Sequence, residues 1–350
     1  MSAKELRVVV ANPLPAELCE KIAQAEPRID LVVDQTLLPP QRWPADFDGD
    51  PTFRRSDAQQ KTFEAMLDSA DALYGIPDID SKALARTVRA NPNLRWVQVM
   101  AAGGGSQVKD ANLTPEELER VTFTTSAGVH AGPLAEFAIF GLLAGAKHLP
   151  RLDRYKQQRH WPGRWPMGQL SEQKILILGL GGIGKEVARK AIALGAEVYA
   201  VANSKPDISG IKGIFKTDDL KHVIGEFDGI VNCLPGTAAT YKYLSKDLIE
   251  RMKPGATVAS VGRGTVVDED ALASALEREH VGFAALDVFA TEPLPQNSPL
   301  WTLPNTIISP HTAANSEHEE RLIAELFIKN SKRFLSGDEL LNTVNTVHFY

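Results

Sequence analysis

Cysteine is scarce in this chain, with only Cys19 and Cys233 in 350 residues. Two residues cannot build a disulfide framework, and they lack the close spacing of a metal-binding set. Their scarcity fits a reduced, cytosolic compartment. Long hydrophobic runs are also missing. The run Val8-Val9-Val10-Ala11, preceded by Lys4, Glu5 and Arg7, is too short for the apolar region of a signal peptide, and no later stretch is long enough to span a bilayer. A cytoplasmic protein without membrane association is expected. Dense clusters of Lys and Arg are absent too, and a net charge of −6 argues against a nucleic-acid partner.

What is present is the composition of a globular protein, 43% hydrophobic and 23% charged. The length points to about two domains. In the first third, residues 6–10, 29–33, 72–74 and 94–99 read as strands, and 14–25, 57–70 and 81–90 as helices. Residues 39–55 (PPQRWPADFDGDPTFRR) are rich in Pro, Asp and Gly and read as an irregular surface insertion, in which Arg54 or Arg55 is a solvated charge in the favoured reading and reaches a substrate in the other. The small residues Thr124-Thr125-Ser126-Ala127-Gly128 suggest a hinge. Residues 133–148 then form a helical pattern that is apolar on nearly every side, as in a helix buried in a core or a subunit interface. Pro133 stands near its start, where a missing N–H costs little. Residues 150–169, with Arg151, Arg154, Trp161 and Trp165, read as a polar and aromatic connection.

The second half continues the alternation. Strands are expected at 174–178, 197–201, 229–232, 257–261, 282–286 and 306–308, and helices at 185–194, 245–252, 268–279 and 317–335. This implies an α/β protein with mainly parallel sheets and helices on both faces.

Gly179-Leu180-Gly181-Gly182-Ile183-Gly184 lies between the strand Lys174-Ile175-Leu176-Ile177-Leu178 and a helix. A strand that ends in G-x-G-x-x-G and opens into a helix is a dinucleotide fingerprint. The first Gly permits the tight turn, the second lets backbone approach a pyrophosphate, and the third lets the helix pack on the strand. The helix N-terminus offers free N–H groups to the phosphates. Because this unit begins far from either end, a nucleotide domain at 126–314 is expected to be inserted into a discontinuous substrate (lid) domain, residues 1–125 and 315–350.

Three polar residues follow expected strands: Arg263, Glu292 and His311. Each alone is ordinary, but their chemistries are complementary. Arg offers a permanently charged fork suited to a carboxylate and an adjacent carbonyl oxygen. His titrates near neutral pH and can pass a proton. A Glu beside that His favours the imidazolium and holds the ring. Next to a nicotinamide, these are the parts needed to reduce a 2-keto acid.

Several motifs occur in the order of one family. They are Ala102-Gly103-Gly104-Gly105, Gly128-Val129-His130-Ala131 with Ala135-Glu136-Phe137, the fingerprint, and Cys233-Leu234-Pro235. After these come Gly262-Arg263-Gly264-Thr265-Val266-Val267-Asp268, Ala285-Leu286-Asp287-Val288-Phe289 with Glu292-Pro293, and Ser309-Pro310-His311-Thr312-Ala313. Across residues 94–315 the chain resembles the D-isomer-specific 2-hydroxyacid dehydrogenases, which include glyoxylate/hydroxypyruvate reductases. The resemblance implies two Rossmann-like or flavodoxin-like domains and a homodimer packed through the apolar helix. It implies that Arg263 binds the substrate carboxylate and carbonyl oxygen, that His311 is the acid/base, and that Glu292 pairs with it. Backbone N–H groups of Ala102, Gly103 and Gly104 would also hold the carboxylate, and closure over the substrate would exclude water. For the cofactor it implies contacts from Gly179, Gly181, Gly182, Ile183 and Gly184, from Cys233, Leu234 and Pro235, and from Val261, Gly262, His311 and Ala313. It further implies that Asp287 contacts the nicotinamide amide. Two departures stand out: Ser260 replaces the usual Asn, which puts a hydrogen bond there in doubt, and Ala314-Asn315 replace a small residue and Gly.

The position for an acid that would accept from the ribose 2′-OH, about 20 residues beyond the fingerprint, is Ala202. Asn203, Ser204 and Lys205 follow, with no carboxylate before Asp207. Ser204 and Lys205 suit a 2′-phosphate, so NADP(H) is the expected cofactor. NAD(H), with Asp207 serving the ribose, is the alternative. The expected reaction interconverts small 2-keto acids and D-2-hydroxy acids. Among the rivals is oxidation of a different small anion, such as formate or phosphite; the resembling formate branch uses an amide where Glu292 stands, and phosphoglycerate dehydrogenases carry a regulatory domain beyond the point equivalent to Leu335. A cofactor-sensing corepressor on the same scaffold is the remaining alternative.

Overall fold

The computed structural model describes residues 5–202, 208–347 and 349. In chain order the elements are β1 (Leu6–Val10), α1 (Ala16–Ala25), β2 (Ile29–Val32), α2 (Asp57–Leu67), β3 (Ala72–Tyr74), α3 (Ser81–Ala90), β4 (Trp96–Gln98), α4 (Gly105–Asp110), α5 (Pro115–Arg120) and β5 (Thr122–Thr124). Next come α6 (Ala131–Ala146), α7 (Leu149–Gln157), β6 (Lys174–Leu178), α8 (Gly182–Ala193), β7 (Glu197–Val201), β8 (Ile211–Phe215), α9 (Leu220–Val223) and β9 (Gly229–Asn232). The chain continues with α10 (Lys246–Glu250), β10 (Ala256–Ser260), α11 (Glu269–Glu277), β11 (Val281–Leu286), β12 (Thr306–Ile308) and α12 (Glu319–Ser336). It divides into two compact units, Met1–His130 with Asn315–Tyr350, and Ala131–Ala314. No helix among the described residues is long and apolar enough to cross a membrane.

The first unit holds a five-stranded parallel sheet in the order β2-β1-β3-β4-β5. Its central strands are buried on both faces, which is why they read as continuous apolar runs rather than as an alternation. The core is closed by α12, whose Phe327 stacks on Trp96 at 4.7 Å and meets Tyr74 edge-on at 5.1 Å. Phe334 stacks on the same indole at 5.7 Å. Trp96, Tyr74 and Phe327 are fully buried.

The insertion at 39–55 has no strand or α-helix, yet it is firmly anchored. The buried Asp46 carboxylate accepts from the Arg42 N–H and guanidinium and from Gly49 N–H. Gln41 donates to Glu320 of α12. Arg55 departs from the solvated role expected of it. Its side chain is 7% exposed, lies 3.8 Å over the Phe63 ring, donates to Leu37 O and pairs with Asp78 at 2.9 Å.

The second unit holds a seven-stranded parallel sheet in the order β12-β11-β10-β9-β6-β7-β8. Helix α6 buries most of its length among β10, β11 and α8. The connection expected at 150–169 begins as helix α7 instead. Pro150 sits in its first turn, where proline is tolerated, and His148, at φ +53°, separates it from α6.

Candidate active site

The candidate residues of the second unit follow the carboxyl ends of its strands. Gly179 follows β6, Ala202 β7, Cys233 β9, Val261 β10, Asp287 β11 and Ser309 β12. The strand order reverses between β6 and β9, and ligands of open α/β sheets bind at such reversals.

The fingerprint glycines are dictated by space. Gly179 adopts φ +93°, and a Cβ on Gly184 would lie 1.9 Å from the Gly179 carbonyl oxygen. At Gly181 a Cβ would meet nothing within 4 Å, so the first turn of α8 opens onto free space with no side chain capping it. Such a turn leaves N–H groups unpaired and carries the positive end of the helix dipole.

Close approaches of backbone fix the neighbouring loops. A Cβ on Gly179 would fall 2.9 Å from a Leu234 methyl, one on Gly262 2.4 Å from Leu234 O, and one on Gly264 1.9 Å from the Phe289 carbonyl carbon. Cys233 and Leu234 are thus packed between the fingerprint and the Gly262-Arg263-Gly264 turn, and Pro235 is exposed. Burial pushes the Cys233 thiol up to about 12, so it is a neutral packing group near pH 7.

Asn232, a buried polar residue at the end of β9, ties these loops together. Its Nδ2 donates to Ser260 Oγ at 3.0 Å and to Arg263 O at 3.2 Å, and its Oδ1 accepts from Leu234 N–H at 3.1 Å. The hydrogen bond in doubt at Ser260 is therefore made, with its hydroxyl as acceptor. Arg263 donates from Nη1 to Gly262 O at 2.9 Å while its side chain reaches solvent.

Glu292 and His311 meet. His311 Nδ1 lies 2.7 Å from Glu292 Oε2, and Glu292 Oε1 accepts from Phe289 N–H at 2.9 Å. Partial burial alone would raise the Glu292 carboxyl. The hydrogen bonds from His311 and Phe289 and the charges of His311 and Arg263 outweigh it and hold the group below its ordinary value. His311 stands at φ +57°, a conformation rare outside glycine, and its N–H donates to Asp287 O at 3.0 Å. With Nδ1 committed to Glu292, Nε2 is the ring nitrogen available to a ligand.

Asp287 is wholly buried and its two oxygens differ. Oδ1 accepts from Ser309 Oγ at 2.6 Å and from the N–H groups of Thr312 and Ala313, each at 3.0 Å. Among the described residues, Oδ2 is buried without a partner. Oδ1 thus shapes the His311 loop on its own. Ser309 and Thr312 figure in the sequence only as members of the His311 motif and Asn232 only as the end of a strand, and none of them is named there as a site residue. Their signal was a polar residue closing each apolar strand, Asn232 after Val231 and Ser309 after Ile308.

In the first unit, the turn at 102–104 follows β4 and leads into α4. Ala102 and Gly103 are exposed, and the N–H groups of Ala102, Gly103 and Gly104 donate to no carbonyl among the described residues. Asn203, Ser204 and Lys205 lie outside the described residues. Ala202 is described, and the pairing of Leu178 with Val201 sets it alongside Gly179.

Residues 139–313 match the family model described as D-isomer specific 2-hydroxyacid dehydrogenase, NAD binding domain. A glyoxylate reductase from Korarchaeum cryptofilum is 32% identical over 268 residues, covering 75% of this chain and 79% of that protein. The chain belongs to the D-isomer specific 2-hydroxyacid dehydrogenase family. A glyoxylate/hydroxypyruvate reductase B from Pectobacterium atrosepticum is 33% identical to this dehydrogenase, covering 61% of it and 68% of the relative. A family member from Aeromonas salmonicida of known crystal structure superposes with a TM-score of 0.75 at 26% identity, covering 98% of this chain and 100% of that one. The dehydrogenase is thus a nicotinamide-dependent oxidoreductase of small 2-hydroxy and 2-keto acids. Two observations among the described residues are compatible with a dinucleotide: a Cβ on Gly181 would meet nothing within 4 Å, and Asp287 Oδ2 is a buried oxygen without a partner.

Proposed function

We propose that this enzyme reduces a small 2-keto acid to the D-2-hydroxy acid, with Arg263, Glu292 and His311 as its working side chains. The observation that carries the reading is the 2.7 Å pairing of Glu292 with His311 Nδ1 at the mouth of the dinucleotide fold. Arg263 offers its charged fork to the substrate carboxylate and carbonyl oxygen. His311 gives a proton from Nε2 to that oxygen as negative charge develops there. Glu292 holds the ring in one orientation through its 2.7 Å contact with Nδ1. Bound reduced nicotinamide supplies the hydride. Asp287 Oδ2 accepts from the carboxamide and so orients the ring, while Gly179, Gly181, Gly182, Ile183 and Gly184 seat the pyrophosphate. Cys233, Leu234, Pro235, Val261, Gly262 and Ala313 complete the walls of the cofactor site. The N–H groups of Ala102, Gly103 and Gly104 serve the substrate carboxylate.

NADPH is the preferred cofactor in this reading. The residue beside Gly179 is Ala202, which has no carboxylate to accept from a ribose 2′-OH or to repel a 2′-phosphate. Glyoxylate and hydroxypyruvate, named for two relatives, are the substrates to try first. A homodimer formed through α6 belongs to the same reading, supported by the outward Phe140 on that helix, 49% exposed.

Two measurements test the proposal. Oxidation of NADPH followed at 340 nm with a panel of 2-keto acids identifies the substrate and, repeated with NADH, the cofactor. An NADH preference above roughly tenfold in kcat/KM (about 1.4 kcal/mol) overturns the NADPH assignment. His311→Ala is expected to lower kcat by about 10²–10⁴ with NADPH affinity kept. Activity within about tenfold of the parent would remove His311 from the acid/base role, and no turnover of any acid by the parent would favour a cofactor sensor.

A further inference from the structure

Strand β4 ends in Gln98, and the polar groups around it are sealed from water: Gln98, Thr124, Ser126 and Asn330 are each 0% exposed. Their hydrogen-bond directions are set from Asn330, whose Oδ1 faces the Leu341 backbone N–H, a group that can only donate, so that its Nδ2 faces Gln98. Trp96 Nε1 donates to Thr124 Oγ1 at 2.8 Å, and Thr124 passes its own proton to Gln98 Oε1 at 2.9 Å. Asn330 Nδ2 donates to the same oxygen at 3.3 Å, while the Asn330 side chain is held by Leu341 N–H at 2.8 Å. The Gln98 amide is therefore oriented with Nε2 toward the loop, 3.2 Å from Val99 O and 3.3 Å from Ser126 Oγ. With a donor already aimed at its oxygen, the Ser126 hydroxyl sends its proton to Val99 O at 2.9 Å. Ser126 N–H donates to Ala101 O at 3.3 Å.

The relay thus runs from a buried indole to two carbonyls just before the glycine-rich turn. A trans peptide is planar, with its C=O and N–H pointing opposite ways. Fixing Ala101 O therefore fixes the direction of Ala102 N–H, the first of the loop donors. The turn itself folds back on the same segment, since a Cβ on Gly104 would fall 2.3 Å from a Val99 methyl.

We infer that Ser126 is a positioning residue for substrate binding: with Gln98 behind it, it pins the carbonyls of Val99 and Ala101 and so aims the N–H groups of the 102–104 turn. This rests on the reading that those N–H groups hold the substrate carboxylate. Ser126 never touches the substrate. Its hydroxyl acts through Val99 O and through its own anchorage on Gln98, without which its N–H drifts from Ala101 O.

The test is the steady-state kinetics of the full-length enzyme. Ser126→Ala is expected to raise KM for the 2-keto acid about tenfold, equivalent to ~1.4 kcal/mol. Expected values of kcat and of KM for NADPH stay within about twofold of the parent, and Ser126→Thr, which keeps a hydroxyl, restores KM. Val88→Ala, a buried substitution in α3 outside the relay, is expected to lower thermal stability without moving KM. A KM change in Val88→Ala equal to that in Ser126→Ala would mean that general loosening is being measured, and would overturn the inference. Ala102→Pro deletes one loop N–H outright and separates the two layers of the reading. If only Ala102→Pro raises KM, the loop binds the carboxylate and Ser126 does not position it. If neither variant raises KM, the loop assignment itself fails.

Discussion

Asp287 divides its labour between two oxygens, and substitution can separate the halves. In Asp287→Asn the side-chain oxygen can keep all three donors, from Ser309, Thr312 and Ala313. What changes is the unpartnered buried position, where an NH2 replaces Oδ2. A carboxamide donor arriving there meets a donor instead of a charged acceptor. A hydrogen bond to a charged group contributes about 1.5–3 kcal/mol, so NADPH should bind roughly 10- to 150-fold more weakly. Stability should change little. Asp287→Ala differs because it frees all three donors at once, at a cost of roughly 3–5 kcal/mol. In a unit of this size that lowers the thermal midpoint by on the order of 10 °C. NADPH titration followed by tryptophan fluorescence quenching, with calorimetry on the same samples, reads both quantities. An Asn variant that melts like the parent and binds NADPH within twofold of it would show that Oδ2 does not face the nicotinamide. A similar loss of stability in the Asn and Ala variants would show that the three bonds to Oδ1 depend on charge rather than on geometry.

Two further predictions concern the first unit. Phe327→Ala removes the ring between Trp96 and Tyr74 and should cost about 4 kcal/mol in chemical denaturation, combining the cavity with the lost aromatic pairs. A loss below roughly 1.5 kcal/mol would mean that α12 can collapse onto Trp96 without it. The pH dependence follows from Asp46 and Glu26. The hydrogen bonds from Arg42 and Arg28, opposed by burial, hold these carboxyls below their ordinary values in the folded state. The unfolded chain then binds the proton more tightly, so this stability is complete above the ordinary carboxylate range and is lost as pH falls through the lowered folded values. Melting from pH 7 to pH 3 should show a fall confined to the acid end, and Asp46→Asn should flatten it. A fall of equal size in the variant would exclude Asp46 as a contributor.

The parts of the fold that were legible in the sequence share one property: their burial is set by their own residues. Ile175-Leu176-Ile177-Leu178 and Val8-Val9-Val10 are buried on both faces and announce themselves as strands. Strand β8 was missed because, with Lys212 and Gly213 in Ile211–Phe215, its exposure alternates and no apolar run remains. Helix α7 was missed because it buries none of its residues and Pro150 reads as a breaker. Arg55 was misjudged because the groups that bury it, Phe63 and Asp78, belong to other elements. At the candidate site, Arg263, Glu292 and His311 were visible because chemistry selects their residue types. The Gln98 relay was not, since it depends on the order of strands and on Asn330, 232 residues away.

The closure of the first unit by α12 also governs how the protein is made. Residues 131–314 form one continuous stretch, so the second unit has all its strands as soon as that stretch has left the ribosome. The first unit begins earlier but has to wait, because Phe327 and Phe334 are synthesised only after that stretch. At about 5–20 residues per second, the 184 residues between its two segments take roughly 10–40 s to translate. Throughout that interval the indole of Trp96 lacks its cover. The first unit therefore completes its core only after the second has all its strands, and until then the apolar face that α12 covers stays open.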